Sequence, residues 1–328
     1  MDLLNLQPHK INVEETLNTM SFAIMGNPKA GKTTFVHELY KEKVLFIATE
    51  KGYGAINNLM KLDFTNYSQW AKIFKQLKDE KVKEKFDCIC FDSIDLFVNC
   101  IERYICNREG VQNLSDIPWG KGAKFLEDEL LRVITSVQSL GYATAFISHT
   151  KVKMEKVPQG QEIAKYIPSL TERYWNVVAK YSDSILFAHN TISQDGSTER
   201  VLYLRETPYF VAGTRFKHMP SKLQLNANTF KTELIKAIEI QMQENPNGFT
   251  TEKTIAKEEK LNFEDLKTEV VDLVQNKFIP NNILLEATSI IEKHLGMGRK
   301  ISEIIPSQVE VLPFIIEDLK EKINELQI

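Results

Sequence analysis

The 328-residue sequence predicts an α/β protein: a mainly parallel sheet flanked by helices, an antiparallel hairpin on one edge, and a small helical domain at the C-terminal end. Three observations carry this expectation. Five short, nearly continuous apolar runs alternate with helix-patterned stretches, as strands buried on both faces of a parallel sheet do. A turn with the spacing GxxxxGK[ST] joins the first strand to the first helix. After Pro220 the β-branched and aromatic runs stop, and helical patterns broken by Asn, Pro and Gly take over.

The elements follow in order. Residues 1–20 are read as an N-terminal extension and residues 21–225 as the core. Its strands are expected at 21–25 (SFAIM), 44–48 (VLFIA), 87–91 (DCICF), 144–148 (TAFIS) and 184–188 (SILFA). Helices are expected at 32–41, 67–83, 93–107, 122–139 and 170–180. Such alternation implies right-handed βαβ units. Asp195-Gly196 is a turn signal between two β-like runs, so 184–190 and 199–206 are expected to pair as a hairpin. Residues 226–328 form the helical domain, with helices at 228–244, 263–277, 281–295 and 307–326. Val311, Phe314, Ile315, Leu319 and Ile323 recur at helical spacing and read as a core face.

Composition bounds the function. Hydrophobic residues make up 43% and charged residues 26%, which excludes disordered and fibrous classes. The 41 Lys+Arg against 44 Asp+Glu give a net charge of −3, so any nucleic-acid surface has to be local. Cys88, Cys90, Cys100 and Cys106 form no CxxC pair and read as buried reduced thiols rather than a zinc site. No apolar run reaches 18 residues and the N-terminus lacks a leader-like apolar stretch; the expectation is a cytoplasmic protein without a membrane partner.

Chemistry concentrates at Gly26-Asn27-Pro28-Lys29-Ala30-Gly31-Lys32-Thr33, followed by Thr34. Gly26 and Gly31 let the backbone curl so that its N–H groups converge on phosphate oxygens. The next helix adds its dipole. Lys32 suits the β/γ-phosphates and the Thr33 hydroxyl suits Mg²⁺, so ATP and Mg²⁺ are the expected ligands. Asp92 ends an apolar strand and reads as the second metal-side carboxylate or as a helix cap. Asp95 reads as a cap or surface residue. Glu50 ends the second strand, where it is either a water-activating carboxylate or an exposed strand-end residue.

Taken together these segments resemble the RecA-type ATPase core over roughly residues 20–220, a RecA-like P-loop NTPase. The resemblance implies that Glu50 is the catalytic carboxylate. It also implies that His149, in Phe146-Ile147-Ser148-His149-Thr150-Lys151, is a γ-phosphate sensor. The segment Tyr209–Phe216 is similar to the Lys-x-Arg segment of RadA-, KaiC- and DnaB-type proteins, which implies that Arg215 reaches a neighbouring subunit's nucleotide. Here Gly213 stands at the Lys position, and a surface ion-paired Arg is the alternative. The short core and the Trp119-Gly120 turn look most like phage RecA-like proteins of recombination and single-strand annealing.

That resemblance implies a homo-oligomer, a ring or filament, with single-stranded DNA held by the loops after strands three and four. The second loop carries Lys151, Lys153, Lys156 and Lys165, and the first carries Trp119 and Lys121. Basic groups beside aromatic ones suit single strands, although a solvated charged loop has the same composition. Pro158-Gln159-Gly160-Gln161 suggests a mobile loop. The implied function is ATP hydrolysis coupled to DNA in phage recombination, annealing or replication. A helicase or helicase-loading motor, or a KaiC-type nucleotide-switched module without DNA, remains open. The C-terminal helices are expected to contact a replication or recombination partner.

Overall fold

Buried apolar runs become the centre of one sheet in a computed structural model of the chain. It describes residues 11–156, 160, 162–192, 196–248 and 262–327. Helix α1 (Val13–Thr19) precedes β1 (Phe22–Gly26), and α2 (Lys32–Tyr40) leads to β2 (Val44–Ala48) and β3 (Lys61–Asp63). Helices α3 (Trp70–Leu77) and α4 (Glu80–Lys85) lead to β4 (Cys88–Asp92). Helices α5 (Ile94–Glu109) and α6 (Lys121–Ser139) come before β5 (Ala143–Lys156) and β6 (Glu162–Pro168). Then come α7 (Glu172–Lys180), β7 (Ser184–Ile192), β8 (Thr198–Tyr203), β9 (Gly213–Thr214), β10 (Lys222–Gln224) and α8 (Ala227–Glu244).

The strand order is β10-β8-β7-β1-β5-β4-β2-β3, with β6 paired to β5 and β9 to β7. Strands β3, β2, β4, β5, β1 and β7 run parallel, whereas β7–β8 and β8–β10 are antiparallel. The α/β class, the parallel centre and the edge hairpin therefore match expectation. β1 and β4 are buried along their whole lengths, which is why their sequences read as unbroken apolar runs.

Each face of the sheet carries its own core. One packs Trp70, Phe91, Phe97, Leu130, Phe146, Tyr174 and Trp175; the Phe91 and Phe97 rings meet edge-on at 4.8 Å. The other packs Phe22, Phe35, Phe46, Phe230 and Leu234. The four cysteines are free and buried. Among the described residues no helix is long and apolar enough to cross a membrane.

Four expectations are corrected. The stretch 67–83 is not one helix: Asp79 accepts a hydrogen bond from Lys81 N and starts a second one. The loop expected after the fourth strand, which carries Lys151 to Lys165, is not open, because β5 continues to Lys156 and pairs with β6 from Thr150↔Pro168 to Lys156↔Glu162. Residues 158, 159 and 161 of the expected mobile loop lie outside the described residues. Helix α8, expected beyond the core, lays Phe230, Leu234, Ala237 and Ile238 into it, with the Phe230 ring 5.6 Å from that of Phe35. The chain accordingly divides into units 1–253 and 254–328 rather than at 225.

The second unit contains α9 (Phe263–Leu273), α10 (Leu284–Leu295) and α11 (Leu312–Leu326). Val270, Phe278, Ala287, Ile291, Leu312, Ile315 and Leu319 form its core. Phe314 leaves the expected stripe and is 60% exposed, its ring near His294.

Candidate functional site

The site is assembled where the parallel strands end. Gly26 closes β1 and is aligned with His149 on β5 and Ala188 on β7. A Cβ at Gly26 would collide with the Ala188 carbonyl oxygen, so no other residue fits without moving β7. The loop then turns through Gly31 at φ +98°, a left-handed conformation that glycine adopts at low cost, and α2 begins at Lys32. Asn27 Oδ1 accepts from Thr150 Oγ1 at 2.7 Å, which fixes the start of the loop to β5.

Lys32 is buried beneath this loop. Its Nζ donates to the carbonyls of Gly26 (2.8 Å) and Asn27 (2.9 Å). Burial pulls its pKa down, and Asp92, Glu50 and Asp95 oppose that shift. The ammonium is therefore a charge kept in a poorly solvated place, and a phosphate would satisfy it better than two carbonyls.

Thr33 Oγ1 donates to Asp92 Oδ2 at 2.9 Å. Asp92 is buried, which raises its pKa, while the Thr33 hydrogen bond and the Lys32 charge oppose the rise. A hydroxyl and a carboxylate from separate elements thus converge as hard oxygen donors, the type that Mg²⁺ prefers alongside phosphate oxygens. Among the described residues no three His, Cys, Asp or Glu side chains cluster to hold a metal, so a cation here would depend on nucleotide oxygens.

Glu50 and His149 meet across the β4 strand end, with His149 Nε2 2.9 Å from Glu50 Oε1. That hydrogen bond is the main reason the Glu50 carboxyl lies below its ordinary range and the His149 ring above its own. His149 Nδ1 is buried and, among the described residues, has no hydrogen-bond partner.

Asp95 was legible only as a cap or surface residue. It accepts from Ser148 Oγ (3.0 Å), His149 N (3.0 Å) and Ser169 Oγ (2.7 Å), and so pins the middle of β5 to helix α5. Its one signal in the sequence is its place in the first turn after Asp92. Tyr53 was also missed; its hydroxyl donates to the Asp92 carbonyl at 3.1 Å.

The residues from Gly26 to Thr33, with Asp92, Glu50 and His149, are therefore brought together. Thr34 is exposed in the first turn of α2. Arg215 stands apart. Its neighbour Thr214 pairs with Ser184, which aligns with Phe22 at the opposite end of β1 from the loop. Its guanidinium is held by Asp183 Oδ1 (3.0 Å) and the Lys180 carbonyl (3.0 Å).

The expected basic surface is partly neutralised. Lys153 pairs with Glu155, and Lys165 with Glu155 and Glu206. Lys151 donates to the Ser169 carbonyl, and Lys156 is exposed. Trp119 is 91% exposed at φ +63°, and Gly120 separates it from α6, which Lys121 opens.

The model of the AAA domain family matches residues 18–216, which span the loop, Glu50, Asp92, His149 and the sheet that carries them. The chain is also 27% identical over 336 residues to the SPbeta prophage-derived uncharacterized protein YorG of Bacillus subtilis (strain 168), covering 99% of each. The strand–loop–helix with a buried lysine, the Thr33–Asp92 pair and this match agree: the chain belongs to the AAA domain family, a P-loop ATPase family.

Proposed function

We propose that the protein is a RecA-like, Mg²⁺-dependent ATPase that acts on single-stranded DNA in phage recombination, annealing or replication. The observation that carries the ATPase part is the convergence of Lys32, the Thr33–Asp92 pair and the Glu50–His149 pair at one end of the sheet.

In this reading Lys32 leaves the Gly26 and Asn27 carbonyls for the β/γ-phosphates. Thr33 and Asp92 would hold Mg²⁺, which when bound supplies positive charge against the leaving phosphate oxygens. Glu50 orients the attacking water and takes its proton as the bond to the γ-phosphorus forms and that to the bridging oxygen breaks. ADP and inorganic phosphate are the products. The Glu50 contact favours the charged form of His149, in which the buried Nδ1, unpartnered among the described residues, is a donor that a γ-phosphate could satisfy. Charge neutralisation and positioning then do most of the work.

The DNA part is supported by the exposed Trp119 and by Lys151 and Lys156, which among the described residues meet no carboxylate. A ring or filament would sum several weak contacts per subunit. A nucleotide-switched protein-interaction module without DNA is the second reading. The pairing of Lys153 and Lys165 with acids favours it, because those charges are already satisfied.

ATP turnover with and without single-stranded DNA, at low and moderate salt, separates the two. The DNA reading expects binding and stimulation that fade as salt rises. Turnover that DNA leaves unchanged, with no detectable binding, sinks it and leaves the second.

A further inference from the structure

The two ends of the phosphate loop face different parts of the sheet. At its start, Asn27 is tied to Thr150 on β5. Asp92, Glu50 and His149 close β4, follow β2 and lie on β5, all on one side of β1 in the strand order. At its end, Gly31 faces the other side. A Cβ there would come within 3.2 Å of Leu225 Cδ2 and 3.8 Å of Arg200 Nη1. Arg200 lies on β8 and Leu225 directly follows β10, and the two are joined by Leu225 N donating to the Arg200 carbonyl at 2.9 Å.

The Arg200 side chain has no role in holding the fold that the structure shows. Among the described residues no carboxylate pairs with its guanidinium and no carbonyl accepts from it. The contrast with Arg205 on the same side of the sheet is informative: that guanidinium donates to the carbonyls of Thr214, Phe216, Lys217 and Met219. An exposed, uncommitted arginine thus sits against the last glycine of an anion-binding loop, with an apolar side chain beside it.

A triphosphate lying along the loop has its polarity fixed by the hydrolytic groups. Its γ-phosphate belongs on the side of Glu50, His149 and Asp92. Its α-phosphate and nucleoside are then left to the Gly31 side. We propose that Arg200 and Leu225 form the nucleoside end of the nucleotide site, Arg200 contacting the α-phosphate and ribose and Leu225 lying against the base. This rests on the ATP-binding reading above and adds to it residues beyond the GxxxxGK[ST] loop.

The geometry requires ATP and ADP to share the contact, because both carry the α-phosphate and nucleoside. Calorimetric titration of the full chain with Mg·ATP and Mg·ADP tests it, using wild type, Arg200→Ala, Arg200→Lys and Lys32→Ala. Arg200→Ala is expected to weaken both nucleotides by the same factor, about tenfold for the removal of one hydrogen bond to a charged group. Arg200→Lys should recover part of the affinity, and the melting temperature without nucleotide should not change. Wild-type affinity in Arg200→Ala overturns the proposal. So does a loss confined to ATP, which would put Arg200 at the γ-phosphate. If wild type binds neither nucleotide, or Lys32→Ala binds as wild type, the ATP-binding reading itself has failed and this proposal with it.

Discussion

His149 Nε2 lies 2.9 Å from Glu50 Oε1, so the carboxylate that follows β2 is engaged by a side chain from the middle of β5, the strand beside the loop. The pair joins the residue two past the end of β2 to the middle of β5, with β4 between the two strands in the sheet. Glu50→Gln keeps the size and the hydrogen bond but removes the base. ATP turnover is expected to fall by roughly 10²–10⁴-fold with nucleotide affinity nearly unchanged. Turnover at the wild-type rate would remove Glu50 from the reaction.

The same contact makes stability depend on pH. The folded-state pKa of Glu50 is lowered, chiefly by His149, so its contribution is present above the ordinary value of 4.5 and lost as pH falls through the lowered one. That of His149 is raised, chiefly by Glu50, so its contribution is present below the ordinary value of 6.5 and lost as pH rises through the raised one. Lys32 works against the His149 charge and Asp95 supports it. The two windows overlap at about pH 5–6. Melting curves of wild type and His149→Ala should differ most there and converge as pH rises through the raised His149 value. A difference that grows toward alkaline pH would contradict the assignment.

Asp95 is a positioning residue: it touches no reacting atom in the proposed reaction but accepts from Ser148, His149 N and Ser169. Asp95→Ala leaves His149 N and Ser169 Oγ without their acceptor, while Ser148 Oγ keeps the His149 carbonyl, and should cost about 1–3 kcal/mol of stability. At a temperature where the variant is folded, kcat should drop while the KM for ATP stays close to wild type, because Asp95 makes no hydrogen bond to the loop or to Lys32 and is only one of three charges acting on Lys32. An effect on stability alone would make Asp95 purely structural.

Gly26→Ala tests how tightly the loop is built into the sheet. The added methyl would run into the Ala188 carbonyl oxygen, and that atom is backbone in the neighbouring strand. Relief requires β7 to move, at a cost of roughly 1–3 kcal/mol, together with weaker nucleotide binding. Chemical denaturation and nucleotide titration measure the two effects. A variant as stable as wild type would show that β7 yields more easily than the packing implies.

What the sequence disclosed depended on whether local pattern or tertiary contact set the outcome. Strands such as Cys88–Asp92 are buried on both faces, so their apolar runs could not be mistaken. The outer half of β5 alternates Lys151, Val152, Lys153 and Met154, and its charge count outweighed its period of two. Gly26–Thr33 was legible because the phosphate chemistry is local to one turn. Asp95 and Arg200 were not, since what lies beside them comes from β5, from just after β6 and from the loop, far away in the chain. Arg215 pairs with Asp183 at the far end of β7, away from the loop of its own chain, and a contact with a neighbouring subunit's nucleotide is not a pattern that one chain displays.

That distinction also orders the lysines of the β5–β6 ribbon. Lys165 already has Glu155 and Glu206, and Lys153 has Glu155, so a phosphate would have to displace a carboxylate. Lys151 and Lys156 meet none among the described residues. If the ribbon holds single-stranded DNA, Lys151→Ala and Lys156→Ala should each weaken binding and lower the salt slope by about 0.7 for each phosphate left without its cation. Lys165→Ala should change that slope less, because removing it also releases Glu155 and Glu206. Fluorescence anisotropy of a labelled oligonucleotide across a salt series measures all three. Equal slopes in all three variants and wild type would take the DNA surface off this ribbon and leave Trp119 and Lys121 as the remaining candidate surface.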